Sequence, residues 1–430
     1  MERDVIAKLK EWKNNPLRKP LILAGARQVG KTYLLKEFGK REYENVAYIN
    51  CDNNPAVADL FTDGYDIKRI LLVLSAVSGE KITPGKTLII LDEIQELPKG
   101  LSSLKYFCED APDYHIAVAG SLLGITLHRG ESAPVGKVNF IHLYPMTFFE
   151  FAVAKGEGSV VDILKSRDWT TLNMLHNKIT LLLREFYFVG GMPEAVKTFI
   201  ETNDARSVRN VHNDILALYR SDMSKHVSEE EATKISMVWN SIPAQLAKEN
   251  KKFIYGAVRE GGRAKDFELA IQWLADAGLV YKIQRIKEVG MPLKFYEDFN
   301  AFKLFLLDVG LLGALSEMEP SQMLITNKIM TESKGAFTEN YVLCQLKAID
   351  NCFTYYYSRS DSRLEIDFVV QHNEMIRPIE VKAEVNPKSK SLRAFWEAHP
   401  DFKAIRFSML PYKDQEWMEN IPLYGIEMHP

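Results

Sequence analysis

One eight-residue segment near the start of the chain constrains its fold more than any other feature. The segment matches the pattern G-x-x-x-x-G-K-[ST] and consists of Gly25, Ala26, Arg27, Gln28, Val29, Gly30, Lys31 and Thr32. An apolar run precedes it and a helix-like run follows it, which is the context that a phosphate-binding loop requires. The glycines let backbone N–H groups converge on phosphate oxygens at the positive end of the following helix. Lys31 is therefore expected to reach the β- and γ-phosphates of a nucleotide, and Thr32 to offer a hydroxyl to Mg²⁺.

A second chemical signal lies at the end of the apolar segment 87–91, where Asp92 and Glu93 follow. A fully apolar run of this length predicts a central parallel strand that is buried on both faces. The carboxyl end of such a strand lies beside the phosphate loop, so Asp92 is predicted to hold Mg²⁺, directly or through water. Glu93, one residue further, is placed to polarise an attacking water.

Strand-like and helix-like segments alternate along residues 1–150. The strand-like segments are 21–24, 46–50, 87–91 and 115–121. This alternation predicts an α/β fold with a parallel sheet between layers of helices. Ser121, at the end of the fourth strand, suits two roles equally: a group that senses the γ-phosphate, or the N-cap of the next helix.

Composition limits the classes of function. The chain has 430 residues, which is too long for one core, so two or three domains are expected. A formal net charge of -3 gives no overall attraction to nucleic acid, so any such binding needs a local patch. Four scattered cysteines without a C-x-x-C pair argue against a zinc site or a disulfide framework and favour a reducing cytoplasm. The charged N-terminus and the lack of a long apolar run predict a protein that is neither secreted nor membrane-spanning.

The middle of the chain has a different pattern. Residues 151–250 predict a helical lid, which is interrupted where Gly190 ends one helix and Pro193 begins the next. Residues 251–325 combine helices with a strand pair and predict a winged-helix segment. Basic residues are frequent between 248 and 287, but acidic residues are interspersed, so docking on DNA and covering the nucleotide site are equally compatible roles.

The segment 326–430 contains a second group of carboxylates. A predicted helix carries Glu339, one strand-like segment carries Asp367, and the next carries Glu380 and Lys382. Residues two apart on a strand share a face. If Asp367 lies on the adjacent strand, two carboxylates and an ammonium converge, as Mg²⁺-assisted phosphodiester hydrolysis requires. The alternative is an edge hairpin whose charged residues face water, and the pattern alone leaves both open.

Together these segments resemble a family of bacterial and archaeal AAA+-type P-loop ATPases, related to signalling ATPases, that join a P-loop domain to a C-terminal domain of unknown function with a PD-(D/E)XK nuclease-like fold. The resemblance covers nearly all of the chain. The segments that carry it are 21–32, 88–93, 119–121, 143–151, 190–194, 305–312, 335–340 and 365–382.

For the first domain, the resemblance implies an ATP site. Residues 25–32 would bind ATP, Asp92 would hold Mg²⁺ and Glu93 would be the catalytic base. Ser121 would be the first sensor, and Pro193 resembles a proline that touches the adenine in related signalling ATPases. No residue can be matched to an arginine finger.

For the C-terminal domain, 326–430, the resemblance implies a restriction-endonuclease-like α/β fold. Its signature is matched by Glu339, Asp367, Glu380 and Lys382, of which Asp367 and Glu380 would bind the metal. The chain departs from the signature in one respect, because isoleucine rather than proline precedes Asp367.

Two functional hypotheses follow. The first is an ATP-hydrolysing conformational switch whose nuclease-like domain binds or cleaves nucleic acid, which the intact Glu380–Lys382 pair favours. The second is a nucleotide-dependent interaction or signalling protein whose nuclease-like domain is catalytically idle, which the negative net charge favours. The candidate partners are ATP, DNA or RNA, a protein, and further copies of the chain, but not a membrane.

Overall fold

The computed structural model describes residues 1–62, 64–120, 125, 134, 136–225, 227–248, 250–319, 331–359, 364–383 and 389–429. Contacts between residues divide the chain into two compact units. The first comprises Met1–Tyr144 and Asp276–Leu279, and the second comprises Pro145–Ala275 and Val280–Pro430.

The first unit alternates helices and strands. Its helices are α1 (Val5–Asn14), α2 (Lys31–Glu42), α3 (Ile67–Ser78) and α4 (Gly100–Asp110). Its strands are β1 (Leu21–Ala24), β2 (Asn45–Asn50), β3 (Thr87–Asp92), β4 (His115–Ala119) and β5 (Asn139–His142). A 3₁₀ turn, Ile94–Glu96, follows β3.

The five strands of the first unit form a parallel sheet in the order β2-β3-β4-β1-β5. Every residue of β3 and β4 is buried, as their continuous apolar sequences indicate. Helices α3 and α4 contribute Leu74 and Phe107 to the same core cluster as Ile89 of β3. The predicted α/β fold with a parallel sheet is confirmed. Because parallel strands end at one edge, the loop after β1 and the end of β3 lie at the same side of the sheet.

β5 is an edge strand that the sequence analysis did not anticipate. It pairs with β1, so that Ala24 lies opposite His142. None of its four side chains is fully buried. The strand therefore lacks the continuous apolar run by which the other strands were recognised.

The second unit contains twelve helices within the described part of the chain. They are α5 (Phe148–Ala154), α6 (Gly158–Ser166), α7 (Trp169–Met174), α8 (His176–Val189), α9 (Pro193–Thr202), α10 (Ala205–Asp222), α11 (Glu229–Leu246), α12 (Tyr255–Val258), α13 (Ala264–Asp276), α14 (Val309–Leu315), α15 (Thr331–Lys347) and α16 (Lys390–Ala398). None of the helices described in the chain is long and apolar enough to cross a membrane.

The turn between α8 and α9 follows the prediction. Gly190 ends α8 and Pro193 begins α9. Gly190 has φ 68° and ψ -167°, a conformation essentially restricted to glycine. The Asp308 carboxylate accepts hydrogen bonds from the N–H groups of Gly191 at 2.6 Å and Leu311 at 2.9 Å. This carboxylate therefore joins the α8–α9 turn to the start of α14.

The strands of the second unit form one mixed sheet. They are β6 (Val280–Ile286), β7 (Glu297–Leu306), β8 (Phe353–Ser358), β9 (Glu365–His372), β10 (Met375–Lys382), β11 (Ala404–Ser408), β12 (Lys413–Asp414) and β13 (Met418–Pro422). Their order is β12-β13-β11-β10-β9-β8-β6-β7. The β6–β7 hairpin, which the sequence assigns to a winged helix, therefore continues the same sheet as the C-terminal strands. A 3₁₀ turn, Leu293–Tyr296, precedes β7.

Candidate functional site

The loop between β1 and α2 has the backbone geometry that its glycines permit. Gly25 has φ 146°, Gln28 has φ 68°, and Gly30, directly before α2, has φ 94°. A Cβ at Gly25 would lie 2.2 Å from the carbonyl oxygen of Leu143, which no side chain tolerates. Glycine is therefore required at position 25 both by its backbone conformation and by the close approach of the segment after β5.

Lys31, the first residue of α2, is buried and bonded to its own loop. Its ammonium donates hydrogen bonds of 2.8 Å to the carbonyl oxygens of Gly25 and Ala26. Burial lowers the pKa of Lys31 to about 8, while the charges of Glu93 and Asp92 act in the opposite direction. The ammonium is therefore mostly protonated at neutral pH, and phosphate oxygens could replace the two carbonyls as its acceptors.

Thr32 and Asp92 are brought together as the sequence predicts. The Thr32 hydroxyl donates a hydrogen bond of 2.7 Å to Asp92 Oδ2, and the Tyr48 hydroxyl donates to the same oxygen at 3.1 Å. The side chain of Asp92 is buried at the end of β3. A hydroxyl and a carboxylate oxygen at the start of a helix fit Mg²⁺, which prefers oxygen ligands and keeps several waters. Asp92 and Thr32 would hold the ion, and the loop N–H groups would face a nucleotide's phosphates.

Glu93 follows β3 in a left-handed conformation, with φ 53° and ψ 45°. Such a conformation is uncommon for a residue with a side chain and costs about 1–3 kcal/mol. Gln95 Nε2 donates a hydrogen bond of 2.6 Å to Glu93 Oε2. The carboxylate predicted to act as base is thus held by a neighbour two residues away.

Two groups beside the loop were not found from the sequence. Arg3 donates to the carbonyl oxygens of Val29 at 3.1 Å and Tyr144 at 2.7 Å, and so joins the phosphate loop to the segment after β5. His142 is the last residue of β5 and is exposed. Neither residue belongs to a motif, so no local signal indicated them.

Two further site predictions are not tested by these contacts. Ser121 is outside the described residues, and β4 ends at Ala119. Pro193 is the first residue of α9 in the second unit. Their roles as sensor and adenine contact stay predictions.

In the second unit, lysines accompany the predicted carboxylates. Lys251 Nζ lies 2.7 Å from Glu339 Oε1, and Lys303 Nζ lies 2.6 Å from Glu365 Oε1. The side chain of Lys303 is 1% exposed. Burial by itself lowers its pKa, but the nearby carboxylates, which include Asp367, outweigh burial and raise it. Both lysines therefore remain charged inside this group, which we call the buried charge cluster: Lys251, Lys303, Glu339, Glu365 and Asp367.

Asp367 belongs electrostatically to this cluster. Burial and the charge of Glu339 raise its pKa to about 7, although Lys303 and Lys251 act in the opposite direction. Its Oδ2 also accepts a 2.7 Å hydrogen bond from the N–H of Val381 on the neighbouring strand. Asp367 thus binds a proton more readily than an exposed carboxyl does.

Glu380 and Lys382 point to the same face of β10, as predicted, and form an ion pair. β9, which carries Asp367, is the neighbouring strand, with Phe368 opposite Ile379. Lys382 Nζ lies 2.8 Å from Glu380 Oε1. Glu380 lies opposite Arg406 of β11. Burial lowers the pKa of Arg406, and the charge of Glu380 acts in the opposite direction. Among the described residues, no group of three or more His, Cys, Asp or Glu side chains is arranged to hold a metal. Within the buried charge cluster, Lys251 and Lys303 already offset part of the charge of the carboxylates.

Three sequence families match successive parts of the chain. Residues 17–152 match the family described as an AAA domain. Residues 180–322 match a domain of unknown function, DUF8612, and residues 334–425 match another, DUF4143. The first match supports the assignment of an AAA-type P-loop ATPase domain and hence nucleotide binding. The third agrees with the expected C-terminal domain of unknown function and does not describe its fold.

Several solved structures are similar to the chain. The Walker-type ATPase PABY2304 of Pyrococcus abyssi is 16% identical, with a TM-score of 0.43, over 73% of this chain and 95% of that one. The ORC1 protein of Aeropyrum pernix in complex with DNA is 14% identical, with a TM-score of 0.33, over 74% and 93%. The ORC2 protein of Aeropyrum pernix in its ADP form is 16% identical, with a TM-score of 0.30, over 65% and 86%. No curated protein matches the chain significantly. Similarities this low carry no argument about function.

Proposed function

We propose that the chain binds and hydrolyses ATP with Mg²⁺, and that hydrolysis drives a conformational switch. The observation that carries the proposal is the 2.7 Å hydrogen bond from the Thr32 hydroxyl to Asp92 Oδ2. Thr32 directly follows Lys31, the first residue of α2. A buried ammonium, a hydroxyl and a carboxylate at the carboxyl edge of a parallel sheet form the set of groups that phosphoryl transfer uses.

Each residue of the site has a separate task in this proposal. Lys31 exchanges its two carbonyl acceptors for phosphate oxygens and neutralises charge that develops on the γ-phosphate. Thr32 and Asp92 would hold Mg²⁺, which would stabilise the same charge. Glu93, fixed by Gln95, accepts a proton from the attacking water. Ser121 and Pro193 keep the roles that the resemblance implies.

A direct experiment is to measure phosphate release from ATP by the purified full-length chain, with Mg²⁺ and with excess chelator. The proposal expects release only with Mg²⁺ and its loss in Asp92→Asn. Release that continues in the chelator would exclude the metal role of Thr32 and Asp92.

For the C-terminal domain, the buried charge cluster favours the interaction hypothesis over cleavage. Lys251 and Lys303 lie near Glu339 and Asp367. They supply positive charge that a divalent metal would otherwise supply. Two ammonium groups offset most of the charge of the three carboxylates in the cluster, so less charge is left for a metal to offset. We therefore propose that the nuclease-like domain is catalytically idle and recognises a partner.

Metal binding separates the two hypotheses for this domain. Mn²⁺ binding is measured by electron paramagnetic resonance on the Asp92→Asn background, which removes the site of the first unit. If the domain is idle, Asp367→Ala leaves the amount of bound Mn²⁺ unchanged, and the chain nicks neither DNA nor RNA. If the domain cleaves, the chain binds Mn²⁺ and nicks DNA or RNA, and both Asp367→Ala and Lys382→Ala abolish the nicking. When the same two substitutions are made without Asp92→Asn, ATP hydrolysis survives.

The basic residues between 248 and 287 give limited support for DNA binding. Lys251 is bonded to Glu339, and Arg285 is bonded to Asp298 at 2.9 Å. Arg259 and Arg263 are among those that remain exposed. If these two contact DNA, their replacement by Glu flattens the dependence of binding on salt. Unchanged binding would favour the lid role of residues 251–325.

A further inference from the structure

The second unit contains a cavity of about 630 Å³ that none of the roles above uses. Its wall includes Arg377 near the start of β10 and Ile405 on β11. Arg377 precedes Glu380 by three residues of one strand, which separates these two residues by about 10 Å. A cavity of this volume is of the size that holds small molecules.

Three cationic side chains line this cavity: Arg167, Arg377 and Lys403. Lys403 is already paired, since its Nζ lies 2.8 Å from Glu419 Oε1. Arg167 donates a hydrogen bond to the carbonyl oxygen of Met428. Within the part of the chain that the structure describes, no ion pair joins Arg167 or Arg377 to a carboxylate.

Arg377 is the least satisfied of the three. It is half-buried, and its Nη2 lies 3.9 Å from the sulfur of Met375, which is a weak acceptor. Burial lowers the pKa of Arg377, Glu419 opposes this effect, and the charge of Arg167 adds to it. The two guanidinium groups therefore repel each other across the cavity, and Glu419, the carboxylate that acts on Arg377, is already held by Lys403.

His429 adds an unpartnered polar atom to the same wall. Its side chain is 8% exposed, and Nε2 has no hydrogen-bond partner among the described residues. Burial and the charge of Arg167 lower its pKa to about 4, so the imidazole is neutral at neutral pH. Buried polar atoms in native proteins are paired with protein, water or a ligand. In the tautomer with the proton on Nε2, this imidazole beside two guanidinium groups is a donor for an anion.

We propose that this cavity binds a small molecule that carries one anionic group, a carboxylate or a phosphate, on an apolar body. Arg167, Arg377 and His429 hold the anionic group by charge-assisted hydrogen bonds. Phe402 and Ile405, which also line the cavity, contact the apolar body.

The rim of the cavity restricts the ligand further. Glu374 and Asp401 line it and are exposed. Their carboxylates repel a chain of negative charges, whereas Arg377 and His429 are more buried. A ligand with a single anionic head is therefore preferred to a polyanion such as nucleic acid.

The experiment is isothermal titration of the full-length chain with three probes: benzoate, phenyl phosphate and inorganic phosphate. The proposal expects saturable binding of benzoate or phenyl phosphate, and the tighter of the two identifies the anionic group. It expects inorganic phosphate, which lacks the apolar body, to bind more weakly than phenyl phosphate.

Variants test the residues that hold the anion. Arg377→Gln and, independently, the exposed Arg167→Gln should each weaken binding about tenfold or more. Arg393→Gln is the matched control, because Arg393 is exposed and pairs with Glu397 on α16. Circular dichroism verifies that each variant is folded. The proposal is overturned if no aromatic anion binds saturably, or if folded Arg377→Gln and Arg167→Gln bind it as tightly as Arg393→Gln does.

Discussion

The hydroxyl of Thr32 donates a 2.7 Å hydrogen bond to the carboxylate of Asp92, although the two residues are 60 positions apart in the chain. This contact joins the first turn of α2 to the last residue of β3. It brings two oxygen ligands together at the edge of the sheet where the phosphate loop lies. The account of ATP binding depends on this relationship, and Thr32, Lys31 and Glu93 can each be tested by substitution.

Thr32→Val removes the hydroxyl and keeps the shape of the side chain. It should lower the rate of Mg²⁺-dependent ATP hydrolysis about tenfold or more, because the ion loses one ligand. Phosphate release measured across a range of Mg²⁺ concentrations checks this. Thr32→Ser, which retains the hydroxyl, is the control and should keep most of the activity. Equal rates in the valine and serine variants would exclude the hydroxyl from the metal site.

Lys31→Ala removes the buried ammonium. ATP affinity should fall about tenfold or more, because backbone N–H groups alone do not neutralise the phosphate charge. Fluorescent-nucleotide titration measures the affinity. Lys40→Ala is the matched control, since Lys40 lies exposed on the same helix and pairs with Glu37. A loss of affinity that is no larger in Lys31→Ala than in Lys40→Ala would contradict the assignment.

The contact between Thr32 and Asp92 could be predicted, because a phosphate-loop pattern and an apolar strand ending in a carboxylate each fix their own position in a parallel sheet. The contacts of Lys251 and Lys303 could not. Lys251 lies 88 positions from Glu339, and nothing in the local pattern of either residue indicates the pairing. The sequence therefore indicated the carboxylates of the second unit, but not the ammonium groups that neutralise them.

Sheet membership was also beyond the sequence pattern. The sequence predicts the strand pair that forms the β6–β7 hairpin, but not its place in the sheet. The parallel pairing of β6 with β8 rests on two residue pairs, Arg285 with Tyr356 and Ile286 with Tyr357. Such pairings depend on tertiary packing rather than on local propensity. In the same way, the exposed side chains of β5 concealed an edge strand.

Gly190→Ala should destabilise the second unit by about 3 kcal/mol or more. The backbone conformation at Gly190 excludes other residues, and the added Cβ would lie 2.2 Å from Asp308 Oδ1. Thermal unfolding by scanning calorimetry measures the effect. Gly79→Ala is the control, because Gly79 also has a positive φ, of 71°, but no atom lies within 4 Å of the added Cβ. The control should cost only about 1 kcal/mol, and equal effects would contradict the account of the Asp308 contact.

Asp367 should make the stability of the second unit depend on pH. Its pKa of about 7 in the folded chain exceeds the ordinary value of 3.8. The folded state binds this proton more tightly than the unfolded state, so the contribution to stability is complete below about pH 4 and is lost as the pH rises to about 7. Asp367→Asn should remove this component, so that its unfolding temperature falls less than that of the wild type over the same interval. The exposed Asp52→Asn is the control, and parallel pH curves for wild type and Asp367→Asn would contradict the assignment.

The central claim is that Glu93 serves ATP hydrolysis rather than ATP binding. Glu93→Gln removes the proton acceptor but leaves an amide oxygen that can accept the bond from Gln95. The decisive measurement is phosphate release beside equilibrium ATP binding, for wild type and Glu93→Gln under the same conditions with Mg²⁺. The account predicts that the variant binds ATP within about twofold of the wild type while its turnover falls about 100-fold or more. A variant that turns over ATP at the wild-type rate, or a wild-type chain that binds ATP and releases no phosphate, would contradict it.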